Sequence, residues 1–140
     1  MNMNSSKIGI LCGALLLGAF QAVALDGIVI ANDSVGAASL DAGALKDICT
    51  GKTMYWEGGQ AVVIIVAGDK AAAALEQASG MNASAFKTFW QRLAFSGRGQ
   101  QPKVADDAAA AMALVASTKG AIAIVPTGTE IKGVKKIEVK

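Results

Sequence analysis

The feature that most constrains the fold is an unbroken run of six apolar residues, 61 to 66, near the middle of the chain. The run lacks the apolar–polar alternation of a half-exposed strand, which indicates a strand covered on both faces, as in a parallel sheet flanked by helices. Two further β-branched runs, 27 to 31 and 121 to 125, are predicted to be buried strands. A last strand, 134 to 139, carries lysines and is expected at a sheet edge.

Helical patterns separate these strands. Ser39 is predicted to cap a helix that ends near Ile48, and an alanine-rich helix follows over about 71 to 78. Asn82 is predicted to cap the next helix, and a final helix covers about 106 to 117. The third helix carries an apolar stripe at helical spacing, expected to be core: Phe86, Phe89, Trp90 and Leu93. The order of elements predicts one α/β domain with a mostly parallel sheet.

The first 24 residues have the pattern of a secretory signal peptide. Lys7 precedes a mostly apolar stretch, 8 to 23, and Ala22-Val23-Ala24 provides a small-x-small cleavage pattern. An uncleaved membrane anchor is the alternative, but the stretch contains three glycines and is short for a bilayer span of about 20 residues. We therefore predict cleavage near Ala24, an exported protein, and a single domain over residues 25 to 140.

The residue content excludes most common catalytic and metal sites. The sequence has no histidine, and one cysteine, Cys49, remains after the predicted signal. Zinc fingers, Ser-His-Asp or Cys-His catalysis and an internal disulfide are therefore excluded. We interpret Cys49, in an apolar stretch, as a buried small side chain rather than a nucleophile. The net charge of +2 gives no sign of a nucleic-acid partner, and we predict a protein that is not an enzyme and uses no cofactor or metal.

The turn after the second predicted strand is one of two features that suit an anion. Backbone N–H groups of residues 68 to 71 are expected to open a helix and to face a bound oxyanion. Gly68, Lys70 and Ala71 are the candidate residues, with Lys70 adding charge. An ordinary strand-to-helix turn is the alternative, because every helix has such an end.

The second feature is the loop that follows the aromatic helix. Arg98 stands between Gly97 and Gly99 and follows Ser96. Its guanidinium fork suits phosphate, sulfate or carboxylate, and the flanking glycines make the backbone accessible. A solvated side chain or a structural ion pair is the alternative for Arg98.

Two aromatic residues, Tyr55 and Trp56, lie in a turn-rich connection before the second strand. They are candidates for a partner surface, because such side chains dominate interface hot spots. The alternative is that they cap the end of the sheet.

Two segments resemble phosphate-type periplasmic solute-binding proteins. Residues 39 to 52, SLDAGALKDICTGK, followed by Trp56, resemble the L-x-x-x-x-L-x-x-I-F-x-G-K-x-x-x-W stretch of that family. Residues 119 to 125, KGAIAIV, resemble its P-G-A-I-G-Y-V strand. The resemblance covers about residues 27 to 139. It implies one lobe of a type II periplasmic-binding-protein-like fold, phosphate or another small anion as ligand, and an ABC-type membrane transporter or another periplasmic protein as partner.

The chain departs from that family where phosphate is held. The family has a Ser-Gly-Thr type loop at this helix start, whereas this chain has Ala67-Gly68-Asp69-Lys70-Ala71-Ala72, without a hydroxyl group. Asp69 would repel an anion unless Lys70 or Arg98 offsets its charge. Family members also have two lobes, so a homodimer is the expected source of the missing half of the cleft.

These observations support two hypotheses. The first is an exported lobe that recognises a small anion, phosphate first, at Gly68, Lys70, Ala71 and the 96 to 99 loop. The second is a protein-interaction or accessory module on the same fold that has lost solute binding and uses Tyr55, Trp56 and Arg98 as its partner surface.

Overall fold

The computed structural model describes residues 25 to 140, and the predicted signal peptide lies outside the described residues. The strands are β1 (Gly27–Ala31), β2 (Ser39–Leu40), β3 (Val63–Ala67), β4 (Lys103–Ala105), β5 (Ala121–Pro126) and β6 (Lys135–Val139). The helices are α1 (Ala42–Cys49), α2 (Ala72–Ser79), α3 (Ala83–Phe95) and α4 (Ala108–Ser117), and a 3-10 turn, Asp69–Ala71, leads into α2.

All six strands form one sheet in the order β2-β6-β1-β5-β3-β4. β3 pairs in parallel with β4 and β5, and β2 pairs in parallel with β6. β1 is antiparallel to both of its neighbours, β5 and β6. Five strands therefore point in one direction and β1 in the other, which confirms the predicted α/β class with a mostly parallel sheet.

Helices cover both faces of the central strands. Because successive side chains of a strand point to opposite faces, β3 and β5 contribute to two separate cores. Ile64 and Ile124 pack in the core that includes α1, α2 and α3. Ile65 and Val125 pack in the second core with α4. This two-sided burial explains why the strand around 61 to 66 shows no polar alternation.

Two predictions at the edge of the sheet are wrong. Ser39 does not cap α1, because Ser39 and Leu40 pair with β6, and the cap is Asp41, whose Oδ1 accepts a hydrogen bond from the Ala44 N–H at 2.6 Å. For the same reason β6 is not an edge strand. The second edge is β4, a three-residue strand that pairs with β3 and that was too short to be predicted.

The predicted cap of α3 is confirmed, and α4 begins at Ala108, two residues after the predicted start at 106. Asn82 accepts a hydrogen bond from the Ala85 N–H at 2.9 Å and begins α3. Asp107, one of the two aspartates at the start of the last helix, accepts from the Ala110 N–H at 2.8 Å and begins α4. A capping side chain satisfies a backbone N–H group that the helix itself leaves unpaired.

Cys49 lies at the end of α1 and is 4% exposed. Burial raises the pKa of its thiol from the ordinary value of 9.0 to about 12, because the thiolate would lose its hydration. The structure therefore supports the interpretation of Cys49 as a packed core residue.

We predict that Cys49 reacts with a thiol reagent at pH 8 far more slowly in the folded protein than in urea, because the folded thiol is buried and protonated. Stability should also fall as the pH rises above about 9, where the unfolded thiol ionises and the folded thiol does not. Labelling kinetics followed with and without urea check the first statement. Rapid labelling of the folded protein at pH 8 would contradict it.

Gly120 precedes β5 and receives close contacts from two segments. Its φ is +78°, and a Cβ atom there would overlap the carbonyl oxygen of Ala61. Its own carbonyl accepts a hydrogen bond from the indole N–H of Trp56 at 2.9 Å. Position 120 therefore requires glycine for both its backbone conformation and the space around it.

We expect Gly120→Ala to lower the free energy of unfolding by more than about 2 kcal/mol, because it combines a left-handed backbone with steric overlap. Gly36→Ala is the matched control: no heavy atom lies within 4 Å of a Cβ built at Gly36. The control should change stability by less than about 0.5 kcal/mol. The urea unfolding midpoints of the wild type and the two variants measure these changes. If Gly120→Ala and Gly36→Ala lose the same stability, Gly120 is not specifically constrained.

Candidate functional site

A cavity of about 300 Å³ lies at the end of the sheet where β3 begins. Its walls come from residues 53 to 55, 61 to 64 and 97 to 101, together with Ile48 of α1 and Trp90 of α3. Small-molecule sites begin at about this volume. Five lining residues have polar or charged side chains: Thr53, Tyr55, Arg98, Gln100 and Gln101.

The end of α3 fixes the backbone of Arg98. The Gly97 N–H donates to the Ala94 carbonyl at 3.1 Å, and the Arg98 N–H donates to the Leu93 carbonyl at 3.0 Å. These are the two hydrogen bonds of a Schellman motif, and Gly97 has the left-handed φ of +75° that the motif requires. Arg98 therefore has an ordered backbone and an exposed side chain.

The side chain of Trp90 packs against the loop of residues 97 to 101. A Cβ atom built at Gly99 would lie 3.2 Å from both Cζ3 of Trp90 and Cε of Met54, so the loop rests directly on these side chains. The Trp90 indole N–H donates to the Cys49 carbonyl at 3.0 Å. The ring also contacts Phe89 edge to face, with centroids 6.1 Å apart. Trp90 is thus held in one orientation and forms a rigid wall of the cavity.

Arg98 is the one charged residue among those that line the cavity. Within residues 25 to 140 the ion pair between Lys132 and Glu130 is the only one, so no described carboxylate lies within 4 Å of the Arg98 guanidinium. A structural ion pair, one of the alternatives for Arg98, is therefore not formed among the described residues. An unpaired guanidinium beside a cavity without carboxylates gives that cavity a positive character.

The other predicted anion feature lies at the opposite end of β3. Gly68 follows the last residue of β3, whereas Arg98 lines a cavity at the first, Val63. The length of β3, about 16 Å, separates Gly68 from Val63 at the cavity end of the strand. Gly68, Lys70 and Ala71 therefore do not form one site with the 97 to 99 loop, which corrects the single combined site expected from the sequence.

The turn at Gly68 has a structural explanation. Gly68 has a φ of +72°, and a Cβ atom there would overlap the carbonyl oxygen of Asp106. Ala71 is buried, whereas Lys70 is exposed. The side chains of Asp69 and Asp106 are exposed near this turn and make the end of the sheet unfavourable for an anion.

The remaining predicted residues are separated in the structure. Ser96 does not line the cavity, and its hydroxyl donates to the Leu93 carbonyl at 2.9 Å. Tyr55 lines the cavity and is 65% exposed. Trp56 is 8% exposed and hydrogen-bonded to Gly120, so its assignment to a partner surface is wrong. Trp56 instead covers the start of β5, in agreement with the alternative of capping the sheet.

Three polar lining residues were not identified from the sequence: Thr53, Gln100 and Gln101. Each stands in a glycine-containing loop, where such side chains are usually solvated. No local pattern distinguishes them from other surface residues. Only the meeting of the two loops on Trp90 brings them to one cavity.

None of the helices within 25 to 140 is long and apolar enough to cross a membrane. The same residues contain no group of three or more His, Cys, Asp or Glu side chains placed to hold a metal ion.

Comparison with solved structures finds the same fold in transport proteins. One is a protein described as a phosphate ABC transporter substrate-binding protein, with phosphate bound, from Clostridium perfringens (TM-score 0.62, 21% identity, 81% of this chain and 45% of that one). Another is an ABC-type phosphate transport receptor from Vibrio cholerae (TM-score 0.55, 17% identity, 81% of this chain and 46% of that one).

The chain thus spans less than half the length of either protein. A scan of protein-family models and a search of curated proteins give no match. At these identities the likeness concerns the fold, and it confirms the predicted periplasmic-binding-protein-like α/β class.

We predict that Gly97→Ala lowers the free energy of unfolding by about 1 kcal/mol, because alanine is strained at the φ of +75° although space is free around the position. Gly97→Asn should lower the free energy of unfolding by less, since asparagine tolerates this conformation. Urea denaturation of both variants shows which of them loses more stability. If both variants match the wild type, the Arg98 loop does not depend on the Schellman motif.

Proposed function

We propose that the protein is a non-enzymatic, solute-binding-protein-like lobe that recognises a small anion at Arg98, with inorganic phosphate as the first candidate. The observation that carries the proposal is the position of Arg98, the one charged residue lining a cavity of about 300 Å³. A guanidinium group donates two parallel hydrogen bonds to phosphate, sulfate or carboxylate, and these charge-assisted bonds are stronger than neutral ones.

The polar residues around Arg98 supply the remaining donors for an oxyanion. The amides of Gln100 and Gln101 and the hydroxyls of Thr53 and Tyr55 all carry protons that an anion accepts. A site of this kind replaces the hydroxyl-bearing loop that is absent after β3. We infer that anion recognition in this chain lies at the amino-terminal end of β3 rather than at the turn of Gly68, Lys70 and Ala71.

The fold supports a role in solute capture. The two similar structures come from proteins described as acting in phosphate transport, one of them with bound phosphate. We infer that residues 25 to 140 form an exported protein, released by cleavage near Ala24. In the periplasm this protein would serve ABC-type uptake. Its partners would be a membrane transporter and a second copy or another periplasmic protein that covers the open side of the cavity.

We expect inorganic phosphate or sulfate to raise the melting temperature of the purified protein in a saturable manner. A ligand at 100 times its Kd adds about 2.7 kcal/mol of stability, which corresponds to a shift of several degrees for a domain of this size. Arg98→Ala should remove the shift without lowering the melting temperature of the ligand-free protein.

Arg92→Ala is the matched control, because Arg92 is exposed on α3 and does not line the cavity. It should leave the ligand-induced shift unchanged. A shift that survives Arg98→Ala would contradict the assignment of Arg98. Flat melting curves at millimolar phosphate, sulfate and acetate would contradict anion recognition itself.

A further inference from the structure

Two loops at the cavity are built in the same way. After α1, the Gly51 N–H donates to the Ile48 carbonyl at 3.2 Å, and the Lys52 N–H donates to the Asp47 carbonyl at 2.8 Å. Gly51 has a φ of +76°, so this is a second Schellman motif. Each motif therefore places a basic residue directly after a left-handed glycine: Lys52 in the first loop and Arg98 in the second.

The two loops meet on the same side chains. Cβ atoms built at Gly51 and Gly99 would lie 3.5 Å and 3.2 Å from the single methyl carbon of Met54. They would also lie 3.4 Å and 3.2 Å from neighbouring atoms of the Trp90 ring. Because both loops touch one methyl group and one indole, the backbone segments that carry Lys52 and Arg98 lie close together.

Lys52 does not line the cavity itself but directly precedes a residue that does. It is exposed, and the next residue, Thr53, lines the cavity and has its N–H bonded to the same Asp47 carbonyl at 3.0 Å. In the described part of the chain, neither Asp47 nor Glu57, the acidic residues nearest in sequence, forms an ion pair with Lys52. Its flexible four-carbon stem can carry the ammonium group toward a ligand beside Arg98.

We propose that Lys52 is the second cation of the Arg98 site and that the pair selects anions with two negative charges over anions with one. This inference rests on the proposed function. Arg98 alone can pair with a single negative charge, and a second charge leaves a residual attraction that Lys52 is placed to satisfy. Coulomb energy is proportional to the product of the charges, so the contribution of Lys52 increases with the charge of the ligand.

The test compares sulfate, a dianion, with nitrate, a monoanion, in calorimetric titrations at low ionic strength, where charge effects are least screened. Lys52→Ala should weaken sulfate binding about fivefold and nitrate binding by less. Lys52→Arg should restore sulfate binding, because the charge returns. Lys87→Ala is the matched control, since Lys87 is exposed on α3 and neither of its neighbours in the chain lines the cavity. Circular dichroism and melting curves establish that each variant is folded.

The outcomes separate the two proposals. If Arg98→Ala abolishes sulfate binding but Lys52→Ala behaves like Lys87→Ala, the role of Lys52 is overturned and the proposed function stands. If Lys52→Ala weakens sulfate and nitrate equally, charge selection is overturned. If the wild-type protein binds no anion, both proposals fail together.

Discussion

Two strands, β3 and β5, are buried on both faces, and the positions of the loops around the cavity follow from that arrangement. Their alternating side chains enter two cores, one with α1, α2 and α3 and the other with α4. The loops after α1 and α3 therefore arrive at the same end of β3, where Trp90 and Met54 join them. The cavity is a consequence of this packing rather than of any one sequence motif.

The sequence was most informative where a residue has a strong local role. The unbroken run at 61 to 66 predicted two-sided burial, and Asn82 predicted the start of α3, because both signals act over a few neighbouring residues. Prediction failed where distant pairing decided the outcome. Ser39 belongs to β2 because it pairs with β6, which lies near the other end of the sequence. β4 has three residues and exists only through its pairing with β3.

The candidate site could be predicted only in part for a related reason. The sequence identified Arg98 from its chemistry, but it could not place Arg98 and Gly68 at opposite ends of one strand. That separation depends on the register of β3 with β4, in which Ile65 pairs with Lys103. Trp56 was misplaced because an exposed and a buried indole look alike in sequence, and the carbonyl of Gly120 that it bonds lies 64 residues away.

The central claim, anion recognition at the amino-terminal end of β3, is tested most directly by titrating inorganic phosphate into ¹⁵N-labelled protein and mapping the amide shifts. The account predicts saturable shifts concentrated at residues 53 to 55 and 97 to 101, which line the cavity. Shifts concentrated at residues 68 to 71, at the other end of the strand, would contradict it. So would spectra that do not change at millimolar phosphate.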